Sequence, residues 1–286
     1  MDRRQPRVRT RGWIAIAITL LALAAGYVVL LRQFKVSKLP VEQRFGAAEP
    51  AGEVYLEPAG VDALNQAMQL RAYLQPSLPE GKDGRPAPAR DLTLLITHDR
   101  TVEELRLAAA DHLVSSTFEV DLNDGSVADY PLDAYTTRLG VELLDGKSSL
   151  RLPARISVWE GALGYDLKTT SQPGADPDAV ELTTSITRSG AFTLFALCAY
   201  GAMVVLGLCA IIVAVLTFIE AHPPETSLIG SLAAIAFALP VLRNALPGSP
   251  PLGVPADMWV FLWAELATVA ALALVVFKWA RAALRA

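Results

Sequence analysis

The chain has 286 residues, 52% of them hydrophobic, and a net charge of −4. Its mean hydropathy of +0.36 is too high for an ordinary soluble protein and its 19% charged residues too many for a bare membrane bundle, which leaves a polar domain joined to membrane helices. Both cysteines, Cys198 and Cys209, fall in one apolar run, so the polar middle has no disulfide and no thiolate metal set, and no cofactor is expected.

In chain order, residues 1–12 are a basic flank carrying Arg3, Arg4, Arg7, Arg9 and Arg11. Residues 13–31 form the first apolar segment. Ala22-Leu23-Ala24 resembles a signal-peptide cleavage site, but apolar residues continue from Val28 to Leu31, which favours an uncleaved anchor. Three further apolar segments follow at Ala191–Ile219, Leu228–Leu242 and Met258–Phe277. About 20 residues are needed to cross a bilayer. The third segment is short and holds Pro240, so a re-entrant hairpin of segments three and four competes with two spans. Lys278, Arg281 and Arg285 follow the last segment. With basic residues at both ends, four spans place both termini in the cytoplasm. The organisation expected is a first span at 13–31, an extracytoplasmic domain at 32–188 and a second span at 189–219. A cytoplasmic loop at 220–227, a third span at 228–242, an outer elbow at 243–257, a fourth span at 258–277 and a tail at 278–286 complete it.

Residues 32–188 carry 16 Lys and Arg against 24 Asp and Glu, a net charge of −8, which argues against nucleic acid or anionic lipid as this domain's main partner. Its apolar residues recur with period two. Met68, Leu70 and Leu74 alternate with polar neighbours, as do Phe118, Val120 and Leu122, Leu139, Val141 and Leu143, and Val180, Leu182 and Ile186. Gly81–Gly84, Asn123-Asp124-Gly125 and Asp145-Gly146 supply turns, and Asp62–Met68 reads as one short helix. The fold class predicted is an antiparallel β-sandwich with four transmembrane helices, one N-terminal and three C-terminal. His98-Asp99 and Asp111-His112 read as surface polar pairs, and no nucleophile–base or phosphate-loop motif is present.

The stretch DYPLDAYTT, Asp129–Thr137, reads as a fixed corner. Pro131 cannot donate to a sheet, Asp133 is placed to accept backbone N–H bonds, and Tyr130 and Tyr135 flank the bend. In the elbow, Pro247, Pro250, Pro251 and Pro255 make a stiff connector, read as a docking surface for the base of the domain. Asp257 stands where the cap of the fourth span belongs. Trp259 and Trp263, four apart, suit one interfacial face. Glu265 lies about 12 Å farther along the helix, inside the hydrocarbon, with Arg243 the nearest basic candidate. Gly230, Ala234 and Ala238 offer a close-packing stripe on the third span, and the cysteines read as small packing residues.

The Tyr130–Tyr135 corner and the run Arg243–Glu265 resemble those of an uncharacterised membrane-protein family of actinobacteria and fungi, domain of unknown function four-four-three-six. The resemblance extends over nearly the whole chain. It implies the same architecture in an actinobacterial cell envelope and carries no mechanism. The function expected is a non-enzymatic plasma-membrane protein whose sandwich binds a protein or wall partner, with lipid around its helices. The alternative is a transporter or channel component using Glu265 as a proton or cation site.

Overall fold

The structure, a computed structural model, describes residues 41–77, 90–99, 101–173, 179–220 and 224–284, with scattered positions between 14 and 32. The first expected span and the Gly81–Gly84 turn therefore lie largely outside the described residues. Residues 1–39 form one compact unit and residues 40–286 another.

Eleven strands are described: β1 Val41–Gly46, β2 Gly52–Asp62, β3 Ala67–Pro76, β4 Leu92–His98, β5 Thr101–Leu107, β6 Val114–Asp121, β7 Ala134–Asp145, β8 Arg151–Leu152, β9 Ala154–Glu160, β10 Tyr165–Pro173 and β11 Val180–Arg188. They form two sheets, β1-β9-β2-β3-β6 and β10-β11-β7-β4-β5, with β8 paired to β7. One core lies between them. The predicted alternation puts Leu70, Leu94, Val120, Val141 and Leu182 in that core, because successive strand residues point to opposite faces and only one face of each sheet is apolar. The pairing is antiparallel except that β2 and β9 run parallel, Gly52 opposite Ala154. That pair departs from the all-antiparallel expectation, since the chain leaves the first sheet for the second between these strands and re-enters running the same way.

The same periodicity corrects the reading of His98. Leu92, Leu94 and Ile96 point inward, so His98 does too; it is buried, and its ring stacks on Phe118 with centroids 6.0 Å apart. Among the described residues, neither ring nitrogen has a hydrogen-bond partner. The short helix expected at Asp62–Met68 is instead a turn between β2 and β3. The Asp62 carboxylate accepts the N–H groups of Leu64 and Asn65, a bond pattern that begins a helix or closes a turn equally well. Asn123-Asp124-Gly125 opens a crossing, since β6 and β7 belong to different sheets. Asn123 exchanges two backbone bonds with Thr136, which starts β7 in place. Asp145-Gly146 does make the turn expected, with Leu144 opposite Arg151.

Three helices follow: α1 Gly190–Ile219, α2 Thr226–Asn244 and α3 Leu262–Ala283, the last entered through a wide turn at Asp257–Phe261. All three are long and apolar enough to cross a membrane. The third segment is thus a helix of 19 residues with Pro240 inside it, longer than the apolar run alone. Helices α1 and α3 meet through small residues. Ala196, Ala199, Gly207, Ala210 and Ala214 of α1 are buried, as are Ala264, Thr268 and Ala271 of α3. At Gly207 the approach is so close that a Cβ would lie 3.0 Å from the Ala264 backbone. Lys278 of α3 donates to the carbonyls of Thr217 and Glu220, satisfying the last turn of α1.

The close-packing stripe predicted on α2 is not used in this way. Gly230, Ala234 and Ala238 are exposed, and nothing approaches Gly230. Leu232, Leu239 and Arg243, on another side of the helix, are the buried residues. Arg243 decides the rotation: a guanidinium must turn toward its carboxylate and carbonyl partners, and the larger apolar residues four and eleven positions before it turn with it. Cys198 and Cys209 are likewise exposed rather than packed, and both are free.

Candidate functional site

The sheet register brings the β2–β3, β6–β7 and β9–β10 connections and the β11–α1 junction to one end of the sandwich. The helices leave from that end, and there the Asp129–Thr137 corner meets the elbow. The corner contains a cis peptide bond between Tyr130 and Pro131. Tyr130 and Tyr135 lie on either side of it as expected. Tyr135 belongs to the sandwich core and Tyr130 to the apolar cluster of the helices.

Asp133 departs from expectation in its partners. Its carboxylate takes no role as a backbone acceptor. It receives the Arg188 Nε–H at 2.5 Å and the Tyr135 hydroxyl at 3.0 Å, with both ion-pair side chains fully enclosed. Arg188 is the last residue of β11, and its guanidinium carbon lies 4.6 Å from the Tyr130 ring centre and 5.2 Å from that of Tyr165. Asp133 therefore fixes one edge of the guanidinium while two aromatic faces fix its plane. Burial works against the Arg188 charge, but the Asp133 hydrogen bond and its neighbours more than offset it, so the guanidinium is held above its usual range. Burial pushes the Tyr130 phenol up to about 12, with Arg188 pulling the other way, and burial with Asp133 pushes Tyr135 up as well.

Below the corner a second buried pair mirrors the first. Arg243, at the end of α2, donates Nε to both Asp257 oxygens at 3.2 Å and Nη2 to Oδ2 at 2.5 Å. The same Nη2 donates to the carbonyls of Pro250, at 3.0 Å, and Pro251, at 2.8 Å. Asp257 also accepts the Tyr200 hydroxyl at 3.1 Å and the Gly253 N–H at 3.3 Å. Asp257 is thus no helix cap. Helical geometry already begins at Pro255, and the carboxylate turns back to Arg243 and the elbow. The prolines explain why: they bring carbonyls without N–H groups, and one guanidinium supplies the missing donors.

Two tyrosines join the pairs. Tyr130 donates to the Pro247 carbonyl at 3.1 Å and stands edge-on to Tyr200, ring centres 6.5 Å apart at 69°. Thr193 of α1 donates to the Pro131 carbonyl at 3.4 Å. A Cβ on Gly248 would overlap the Arg188 guanidinium, so only glycine lets the elbow close there, at a φ of +75°. The run Asp133–Arg188–Tyr130–Tyr200–Asp257–Arg243 is one continuous buried junction between sandwich and helices.

Of the residues singled out from sequence, Tyr130, Pro131, Asp133, Tyr135, Arg243 and Asp257 come together here. Glu265 does not. It is half-buried on α3, its Oε2 is enclosed without a hydrogen-bond partner among the described residues, and Arg243 is committed to Asp257. Trp259 is 83% and Trp263 40% exposed, and the Trp263 ring also lies against Gly207 of α1. Sequence reasoning missed Arg188 and Tyr200. A cation three residues ahead of an apolar run, and a phenol at the tenth residue of that run, are the signals that were there to follow.

No curated protein matches the chain. A family model described as Domain of unknown function (DUF8686) matches residues 188–282, the helical part, so the single resemblance expected over the whole chain divides at the junction. The sandwich, over residues 43–184, matches the model of the family described as Domain of unknown function (DUF4436), the family that the corner and the elbow resemble.

Proposed function

We propose that the chain is a non-enzymatic integral membrane protein of the cell envelope, whose sandwich binds a protein or wall partner outside the membrane. In this reading the three helices cross the bilayer, the segment at 13–31 crosses ahead of the sandwich, and both termini are cytoplasmic. The junction supports it. Two buried ion pairs, two tyrosines and a proline elbow fix the sandwich against the helices, an arrangement suited to presenting one face in a set orientation. The solvent face of β2 and β3 is organised for contact. Tyr55 and Tyr73 sit opposite each other, Tyr55 donates to Glu53 at 2.8 Å, Arg155 donates to Glu53 at 3.0 Å, and Tyr73 donates to Glu57 at 3.2 Å. Tyrosine and arginine held in place are the side chains that contribute most at protein interfaces.

The test is photo-crosslinking from Tyr55 and Tyr73 in intact membranes. A reproducible partner that is lost with Tyr55→Ala and Tyr73→Ala is expected. Recovery of none, or of one indifferent to both changes, defeats the reading.

A second reading is favoured by one observation, the enclosed and unpartnered Oε2 of Glu265. An acid kept among apolar helices is a candidate proton or cation site. Liposome flux unchanged by Glu265→Gln rules it out.

A further inference from the structure

A cavity of about 540 Å³ lies between the base of the sandwich and the elbow. Arg188 forms part of its wall, with Leu64 from the β2–β3 turn, Leu163 from the β9–β10 turn, Phe192 from the first turn of α1 and Ser249 from the elbow. The Arg188 side chain is 2% exposed, and its Nε is committed to Asp133. Among the described residues, Nη1 and Nη2 have no hydrogen-bond partner. A buried guanidinium with two idle donor groups is an incomplete arrangement, and an oxyanion held in a fork is what completes it. Asp62 also lines the cavity, but its carboxylate is occupied by the Leu64 and Asn65 N–H groups and the Asn65 amide.

The rim tells which oxyanion. Leu64 is 60% and Leu163 91% exposed, and Leu132 and Leu252, from two further loops at this end, are exposed as well. Four outward leucines on four separate connections, beside the start of an apolar helix, make a collar that water does not favour. We propose that this cavity holds the phosphate headgroup of an anionic membrane lipid, with Nη1 and Nη2 of Arg188 donating to its oxygens and the leucine collar lying among the acyl chains. The proposal rests on the membrane reading above. It modifies the expectation from charge alone: the domain's −8 disfavours anionic lipid in general, and a single enclosed arginine recognises one bound molecule. The positive end of α1 adds to the attraction.

The test uses purified full-length protein in nanodiscs of phosphatidylcholine doped with phosphatidylglycerol, reading co-retained lipid by native mass spectrometry. Phosphatidylglycerol retained about tenfold over its share of the bilayer is expected. Ser249→Asp puts a carboxylate on the cavity wall at a position whose positive φ aspartate tolerates. It leaves the Asp133–Arg188 pair intact, and should abolish the enrichment at an unchanged thermal midpoint. Arg188→Lys should weaken it, since an ammonium lacks the fork. Equal retention of both lipids, or enrichment indifferent to Ser249→Asp, overturns the proposal. Displacement of the lipid by an equal concentration of glycerol phosphate overturns the lipid assignment. The cavity shares no residue with the Tyr55–Tyr73 face, so failure here and failure of partner capture are separate results.

Discussion

Arg188 and Arg243 are the same residue type, both enclosed, each paired with one aspartate at 2.5 Å, yet they stand in different states. Arg243 meets both oxygens of Asp257 and two proline carbonyls, and its carboxylate is itself completed by Tyr200 and Gly253. Arg188 meets one carboxylate oxygen and two aromatic faces, with Nη1 and Nη2 idle. The saturated arginine holds an elbow that has few donors of its own. The unsaturated one holds a corner and keeps capacity for something else. A buried ion pair is weak evidence for stability when taken alone, and its remaining hydrogen bonds decide what it does.

The largest expected effect is at Arg243. Arg243→Ala strands a buried carboxylate and two carbonyls, and should cost about 3–5 kcal/mol in thermal unfolding in detergent. Arg243→Lys should recover little of this, because a point charge cannot span the carboxylate and both carbonyls. If lysine restores full stability, the contrast between the two arginines fails.

Replacing whole pairs sharpens the contrast. Arg188→Met with Asp133→Leu should fall within about 2 kcal/mol of wild type, since the Tyr135 hydroxyl is the one group outside the pair that loses a partner among the described residues. Arg243→Met with Asp257→Leu should remain strongly destabilised, because Tyr200, Gly253 and the proline carbonyls all lose partners. Equal outcomes for the two double variants mean that neither pair is special.

Tyr130→Phe, between the pairs, removes one hydrogen bond and should cost about 1 kcal/mol. It also carries a pH signature. The Tyr130 phenol is raised from 10.0 to about 12 in the fold. The stability it contributes is therefore complete below the unfolded value and is lost as pH rises through the folded one. The wild-type alkaline limb between these values should be shallower in Tyr130→Phe. An unaltered limb would show that Tyr130 does not report on the junction.

The smallest effect lies far from both arginines. Glu53 is held below the usual carboxylate range by the Tyr55 hydroxyl first, then by Gln75 and Arg155, against some burial. Its stability is present above the unfolded value and is lost as pH falls through the folded one. Glu53→Gln should alter the acid limb alone, and slightly, as expected of a partly exposed pair. A loss as large as that at the junction would place the fixed element of the molecule on the sheet face.

Much of this fold is legible in the residues. Alternation at Phe118 and Val120, or at Leu139 and Val141, can be satisfied by a half-buried strand and by little else, because side-chain direction repeats every two residues. The same rule, followed one step further, would have buried His98. The Tyr130–Tyr135 corner and the Arg243–Asp257 pairing were also within reach, since proline restricts the backbone and the two charges are only 14 positions apart. Asp62 misled because one hydrogen-bond pattern serves both a helix start and a turn.

By itself, then, the sequence determined a period-two domain, three apolar helices and a stiff elbow between the last two, since periodicity, helix length and proline geometry are local properties. Tertiary structure decided the rest. The stripe Gly230, Ala234 and Ala238 had the right spacing but turned outward, because Arg243 required its own face of α2 to turn in. Arg188 and Tyr200 became parts of a junction only when the β11–α1 connection and the β6–β7 corner arrived at the same end of the sandwich. Residues 55 positions apart, as Asp133 and Arg188 are, pair through sheet register, and register is a property of the whole sheet.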